Sequence, residues 1–189
     1  EIMPSLVGSE MCIRDRDRVL ALRGRGVNLT VVVDSIQAAQ AVAERARQEG
    51  AGIPALIEID CDGHRAGVQP GHTDQLLAIA RVLHGAGCLQ GVMTHAGESY
   101  GCRSLEAIAA MAEQERLAAV TCAEAIRAAG LPCPVVSVGS TPTAHFARNL
   151  DGVTEVRAGV YVFFDLVMAG LGVCSVDDIA ATVLTTVIG

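Results

Sequence analysis

The chain has 189 residues, 51% hydrophobic and 19% charged, which excludes intrinsic disorder and is long enough for one domain with a real core. The formal net charge is −7, all 14 basic residues are Arg and only 3% of residues are aromatic, so the basic patch and stacking surface of a nucleic-acid binder are missing. There is no apolar run of about 18 residues to cross a membrane, and no Lys anywhere, which excludes a lysine Schiff base or lysine general base from this chain.

Residues 1–16 lack helix or strand periodicity and carry no signal-peptide pattern. Their stretch Ser5–Arg16, SLVGSEMCIRDR, resembles translated sequencing-adapter read-through, so residues 1–16 are expected to be non-native. From there strands and helices alternate. Leu29–Val33 is a continuous, β-branched run of the kind buried in parallel sheets. Asp34-Ser35 caps a helix over about 36–49 that Gly50 ends. Pro54–Ile59 predicts a second strand. Thr73 caps a helix with Leu76, Leu77, Ala80 and Leu83 on one face, stopped by Gly85. Leu89–Met93 predicts a third strand. Ser104 opens a long helix to about Ala129, where Leu105, Ile108, Ala109, Met111 and Ala112 begin the apolar stripe. Pro134–Val138 and Thr154–Phe163 predict a fourth and a fifth strand, the last broken at Ala158-Gly159. Residues 179–188 favour strand again and read as the start of something new.

This alternation predicts an α/β fold with a parallel sheet and crossover helices. Five strands fit an open doubly wound sheet or part of an eight-stranded barrel. No GxGxxG opens a helix after a strand, which weakens the dinucleotide-binding option. The cysteines, Cys12, Cys61, Cys88, Cys102, Cys122, Cys133 and Cys174, form no CxxC pair and are odd in number. They read as small buried residues in a reducing cytosol, not as a disulfide framework or zinc site.

Polar residues gather after the C-terminal ends of the strands, where such folds place their chemistry. Gly139-Ser-Thr-Pro-Thr143 has the features of a phosphate cradle: a glycine for close backbone approach, two hydroxyls, and a proline suited to the first turn of a short helix from about Thr143. If strands four and five are the last two of a barrel, this loop and Arg157-Ala-Gly159 occupy the fold's usual phosphate position. Arg65, on a glycine-flanked loop, suits a phenolate, carboxylate or phosphate oxygen. His95 and Tyr100 are candidate proton donors or acceptors. His64, His72, His84 and His145 lack the spacing of a metal set, so no metal site is expected in this chain.

Five stretches together resemble one family: Val32-Val-Asp-Ser35, Glu58-Ile-Asp-x-x-Gly-x-Arg65-x-Gly-Val68, Thr94-His-Ala-Gly-x-Ser-Tyr100, Ser137-Val-Gly-Ser-Thr-Pro-Thr143 and Glu155-Val-Arg-Ala-Gly-x-Tyr-Val-Phe163. They are similar to the fold-type-III pyridoxal-phosphate enzymes with an alanine-racemase-like N-terminal barrel, closest to the D-threonine aldolase and D-serine dehydratase group. The resemblance implies a partial TIM (β/α)8 barrel of about five C-terminal strands over residues 17–166. Residues 167–189 would then be a linker and the first strand of a C-terminal β-domain. It implies pyridoxal 5'-phosphate (PLP) as cofactor, with Arg65 facing its phenolic oxygen and Tyr100 on its pyridine side. Gly139, Ser140, Thr141 and Gly159, with Tyr161, would hold the phosphate, and His95 would line the pocket near substrate.

Three departures bear on activity. The family's lysine that carries the cofactor lies on the first barrel strand, and this chain has none. Glu98 stands where the family often has a second histidine. The family's divalent-metal ligands lie in the C-terminal domain. The chain is therefore expected to be an inactive fragment of a cytoplasmic, homodimeric lyase that acts on small D-amino acids with a β-hydroxyl, by aldol cleavage or dehydration, with no nucleic-acid or membrane partner. A racemase of the same fold type and a noncatalytic PLP-binding module are the alternatives. An incomplete barrel would also leave Thr30–Val33 as an unpaired apolar edge.

Overall fold

The β-branched runs form strands and the stretches between them form helices, in the order the sequence predicts. The structure is a computed structural model that describes residues 6–7 and 13–186, with side chains from Asp17 onward. Its elements are β1 (Leu6–Val7), α1 (Ile13–Gly24), β2 (Thr30–Val33), α2 (Ile36–Glu49), β3 (Ala55–Ile59), α3 (Thr73–His84), β4 (Leu89–Thr94), α4 (Leu105–Ala128), β5 (Val135–Val138), α5 (Thr141–Phe146), β6 (Glu155–Val156) and α6 (Leu166–Gly170). All strand pairs are parallel, in the spatial order β1-β2-β3-β4-β5-β6. Parallel strands in chain order with helices between them trace the wall of a β/α barrel, here a partial one.

Local chemistry sets the helix ends. Ser35 accepts the Ala38 N–H at 3.2 Å to start α2, and Gly50 ends it at φ 65°, where glycine carries no side-chain penalty. Ser104 starts α4 in the same way, accepting the Ala107 N–H at 3.2 Å. Thr73 was expected to cap α3 but is its first helical residue; His72 occupies the cap position and gives no side-chain bond.

Alternation along the strands splits the apolar residues between two layers. Val31, Val33, Ile57 and Ile59 face the helices and pack into the main core with residues such as Val42, Ile79 and Ile126, all at most 1% exposed. Each such side chain contributes about 1.5–3 kcal/mol by burial. Val32, Leu56 and Met93 form a separate inner cluster with half-buried Val135. The inner face then turns polar toward the C-terminal ends of the strands. The register places Glu58, Met93, Ser137 and Glu155 in one row, and alternation puts His95, Gly139 and Arg157 in the next.

The sequence reading is corrected at several places. The predicted fifth strand is only Glu155–Val156; the chain leaves the ladder before Ala158-Gly159 and forms a 3-10 turn at Val160–Val162. The strand expected in the tail is not formed over 179–186, which have no ladder partner among the described residues and are exposed from Ala180 onward. Residues 187–189 lie outside the described residues, as do 1–5 and 8–12 of the segment expected to be non-native. Thr30–Val33 is not a bare edge, because Leu6 and Val7 pair with Thr30 and Val31. Helix α1 was not anticipated at all. The described cysteines are free. No helix among the described residues is long and apolar enough to cross a membrane.

Strand spacing is tightest at Gly91, whose φ is +152° and whose added Cβ would lie 1.9 Å from the Val135 carbonyl oxygen. Gly91→Ala is therefore expected to lower the unfolding free energy by about 2–3 kcal/mol. Urea unfolding followed by circular dichroism measures this, and an unchanged midpoint would contradict so close an approach of β4 to β5.

Candidate functional site

The loops that follow β3, β4, β5 and β6 meet at one end of the sheet, and hydrogen bonds tie them together. The Thr94 hydroxyl donates to the Ile59 carbonyl at 2.7 Å. Asp62 accepts the Glu98 N–H at 2.9 Å, joining the first two loops. His95 Nδ1 lies 3.0 Å from the Gly139 carbonyl oxygen, joining the loops after β4 and β5. A carbonyl only accepts, so Nδ1 carries the proton in the neutral ring and Nε2 is left as an acceptor.

The Gly139-Ser-Thr-Pro-Thr143 segment builds a capped helix start. Ser140 accepts the Thr143 N–H at 3.3 Å while its own N–H donates to the Thr143 hydroxyl at 3.0 Å, a reciprocal capping box with Pro142 in the first turn. Helix α5 thus begins at Thr141, two residues earlier than expected. The Ser140 hydroxyl also lies 2.9 Å from that of Ser99, so it is fully engaged. Thr141 differs. It is 3% exposed, and its hydroxyl is buried without a hydrogen-bond partner. An orphaned buried hydroxyl costs about 1–3 kcal/mol, which marks it as a group waiting for an acceptor or donor. Thr141 and Tyr161 line a cavity of about 330 Å³ with Val156 and Ala158. A Cβ added to Gly159 would meet nothing within 4 Å, so the backbone there is open, and the first N–H groups of the 3-10 turn that follows have no hydrogen-bond partner among the described residues.

Two guanidinium groups face this region. Arg65 is exposed, has no ion-pair partner among the described residues, and lays its stem across Gly97, where a Cβ would fall 3.0 Å from Arg65 Cδ. Arg157 is largely buried; its Nε donates to the Ser137 hydroxyl at 2.8 Å and its terminal nitrogen to the Thr94 carbonyl. The Ser137 hydroxyl in turn donates to Glu155 at 2.5 Å. Burial pushes the Arg157 guanidinium below its usual range. His95 and Tyr100 stack with ring centroids 6.0 Å apart and an interplanar angle of 21°. Burial, reinforced by the Arg65 charge, lowers the His95 ring below its ordinary value of 6.5. Burial raises the Tyr100 hydroxyl against the opposing pull of Arg65. Burial likewise raises the Glu58 carboxyl on the inner face. The site thus presents positive charge, a neutral imidazole and a neutral phenol, which suits an anionic ligand.

Every candidate residue from the sequence lies on these loops, but two have other tasks than expected. Gly139 is not a glycine to admit a ligand. Its φ is +137°, and a Cβ would sit 2.1 Å from the Arg157 carbonyl oxygen, so it admits the neighbouring strand. Its N–H and carbonyl are both taken, by Glu115 at 3.1 Å and His95 at 3.0 Å. Ser140 commits both its N–H and its hydroxyl to the helix cap. Glu98 sits at the rim with its carboxylate 3.5 Å from His64. Sequence reasoning placed Arg157 on the phosphate-side loop but gave neither it nor Ser99 a role of its own, and it missed Glu115. Glu115 is 2% exposed on α4 and accepts the Ala96 and Gly139 N–H groups at 2.9 and 3.1 Å. Its signal was positional: it falls on the buried helical stripe of Ile108, Ala112, Ala119 and Cys122.

Comparison with known proteins finds relatives in sequence and in fold. Residues 13–167 match the family model described as alanine racemase, N-terminal domain. The chain is 60% identical over 173 residues to D-threo-3-hydroxyaspartate dehydratase of Delftia sp. (strain HT23), covering 91% of this chain and 46% of that protein. It is 31% identical over 141 residues to D-serine dehydratase of Dictyostelium discoideum, covering 70% of this chain and 36% of that protein. The solved structure of the Delftia dehydratase superposes with a TM-score of 0.89 and 57% identity, over 93% of this chain and 46% of that one. D-threonine aldolase from Filomicrobium marinum gives 0.72 and 25%, over 90% of this chain and 46% of that one. The chain thus spans less than half the length of these relatives.

Two measurements test the site as described. In a histidine NMR titration, His95 is expected to titrate below 6.5 and His64, raised by the Asp62 carbonyl and the Glu98 charge, above it. The unfolded chain protonates before a buried neutral His95, so the stability this ring confers is complete above 6.5 and is lost as pH falls through the folded value. The His64 contribution has the opposite slope and is lost as pH rises through its folded value. Finding His95 at or above His64 would contradict this environment. Separately, Thr141→Val removes an unpartnered hydroxyl at constant shape and is expected to leave the melting temperature unchanged or higher; a clear drop would mean that the hydroxyl is already satisfied.

Proposed function

The chain belongs to the alanine racemase N-terminal domain family, and on that premise we propose that it binds PLP and serves a lyase that dehydrates D-amino acids carrying a β-hydroxyl. The orphaned Thr141 hydroxyl, buried beside the cavity that Tyr161 and Ala158 line, is the observation that carries the reading. Its relatives by name include two dehydratases of hydroxylated D-amino acids, one of them 60% identical.

The residues fit a phosphate ester of an aromatic aldehyde. Thr141 and the open main chain of Gly159–Tyr161 hold the phosphate, the former by a hydroxyl that has no other partner, the latter through N–H groups at the start of a turn. Ser140 and Gly139 act one step back: the capping box and the Glu115 bond fix the loop that presents Thr141. Arg65 supplies an unpaired guanidinium for the phenolic oxygen. Tyr100 stacks with His95 at the edge of the ring-binding space. Bound PLP supplies the electron sink for bond cleavage at or beside the α-carbon. His95 is the candidate proton acceptor, neutral and with Nε2 available. The charges of Arg65 and Arg157 draw in an anionic substrate and oppose protonation of His95. Among the described residues no three His, Cys, Asp or Glu side chains converge to hold a metal ion, and no step is assigned to one.

The chain contains no lysine, so its hold on PLP is noncovalent and its turnover on its own is expected to be nil. Titration with PLP, followed by absorbance, is expected to show saturable binding. Thr141→Val should weaken that binding about tenfold, as the loss of one hydrogen bond to a charged group does, while Thr141→Ser retains it. Borohydride treatment followed by mass spectrometry should leave no cofactor on a side chain. No saturable binding by the unaltered chain, or equal binding by Thr141→Val, would overturn the reading.

A further inference from the structure

The β4–β5 ladder ends with the pair Met93 and Ser137, just short of the residues that matter. Beyond it the two chains diverge into the His95-Ala96-Gly97 loop and the Gly139-Ser140-Thr141 loop. One carboxylate oxygen continues the connection. Glu115 Oε1 accepts the Ala96 N–H at 2.9 Å and the Gly139 N–H at 3.1 Å. Ala96 follows His95 directly, and Gly139 precedes Ser140. The oxygen is therefore one residue from the imidazole and one from the cap that presents Thr141.

This carboxylate is costly to keep. It is 2% exposed and makes no salt bridge among the described residues. Burial raises its proton affinity, opposed by the Thr143 hydroxyl, the two N–H donors and the more distant Arg157 charge. A helix-packing position on the same stripe is normally apolar, and a leucine there would fill the space without the desolvation penalty. What a leucine lacks is an acceptor for two main-chain N–H groups that the ladder no longer serves.

We propose that Glu115 is the positioning residue of the PLP site, fixing the distance between His95 and the Thr141 loop by holding both main chains on a single oxygen. The inference rests on the PLP reading for the identity of the ligand, but not for the existence of the clamp. Glu115 touches neither cofactor nor substrate. It withdraws the Gly139 N–H from any anion and leaves Thr141 as the hydroxyl that meets it.

The test compares Glu115→Gln, Glu115→Leu and, as a stability control, Ile126→Ala, which removes a fully buried side chain from the same helix away from the loops. Glu115→Gln keeps the shared acceptor and is expected to bind PLP within about threefold of the unaltered chain. Glu115→Leu should bind about tenfold or more weakly and lose hydrogen-exchange protection at the Ala96 and Gly139 amides. It should also shift the His95 titration. Ile126→Ala should melt at least as low as Glu115→Leu yet keep the PLP affinity, both protected amides and the His95 titration. If Glu115→Leu and Ile126→Ala lose affinity alike, or if the two amides stay protected without the carboxylate, the proposal falls. If the unaltered chain does not bind PLP, the PLP reading falls, and amide protection and the His95 titration still decide whether the clamp exists.

Discussion

Main-chain proximity between β4, β5 and β6 decides which side chains can act together. At Gly91 and Gly139 the neighbouring strand lies so close that a Cβ would overlap it, at 1.9 and 2.1 Å. That closeness sets the register, and the register puts His95, Gly139 and Arg157 side by side on the inner face. A slip of one residue would exchange inner for outer positions, sending Arg157 and Ser137 toward the helices and Val136 and Val138 into the barrel. The polar site therefore depends on two glycines whose task is steric, one of which, Gly139, reads in the sequence as a ligand-binding glycine.

Electrostatics follow from that placement. The inner row carries Glu58 and Glu155 against Arg157, and the rim adds Arg65. Ser137 mediates between Arg157 and Glu155 by donating to one and accepting from the other. The fixed positive groups and the low-dielectric floor act in the same sense on His95, which stays neutral. An imidazole in this state, locked as the Nδ1–H tautomer by a main-chain carbonyl, is set up to take a proton and not to give one. The same field favours phosphate and carboxylate oxygens, so affinity for an anion and the neutral state of His95 come from one arrangement of charge.

Much of this was legible from residue order alone. A continuous β-branched run marked β2, and short, largely apolar runs marked β3 to β5, because strands buried on both faces need no strict alternation. Serines before apolar periodicity marked the starts of α2 and α4 because a short hydroxyl satisfies an N–H that the helix cannot. Strand-end loops marked the site, and Arg65, His95, Tyr100, Thr141 and Gly159 all lie there. Other features depend on partners that no local pattern reveals. The tail residues Thr182 and Val183 have strand propensity, but a strand exists only where another strand accepts its hydrogen bonds. Gly139 looked permissive toward a ligand because the Arg157 backbone beside it comes from eighteen residues further along the chain. Glu115 passed unread because a carboxylate does not register in an apolar stripe, although its spacing from Ile108, Ala112 and Ala119 places it on the covered side.

The rim is built differently from the floor. His64 and Glu98 face each other across the loops, joined by a long contact and by little else, whereas Ser140 and Glu115 are locked into buried hydrogen-bond networks. Exchanging a rim residue costs the fold little, whereas removing a partner from the buried network leaves a main-chain N–H unserved and costs it more. The rim can therefore accept substitutions that the buried network beneath it does not, and Glu98 stands on the tolerant side of that division.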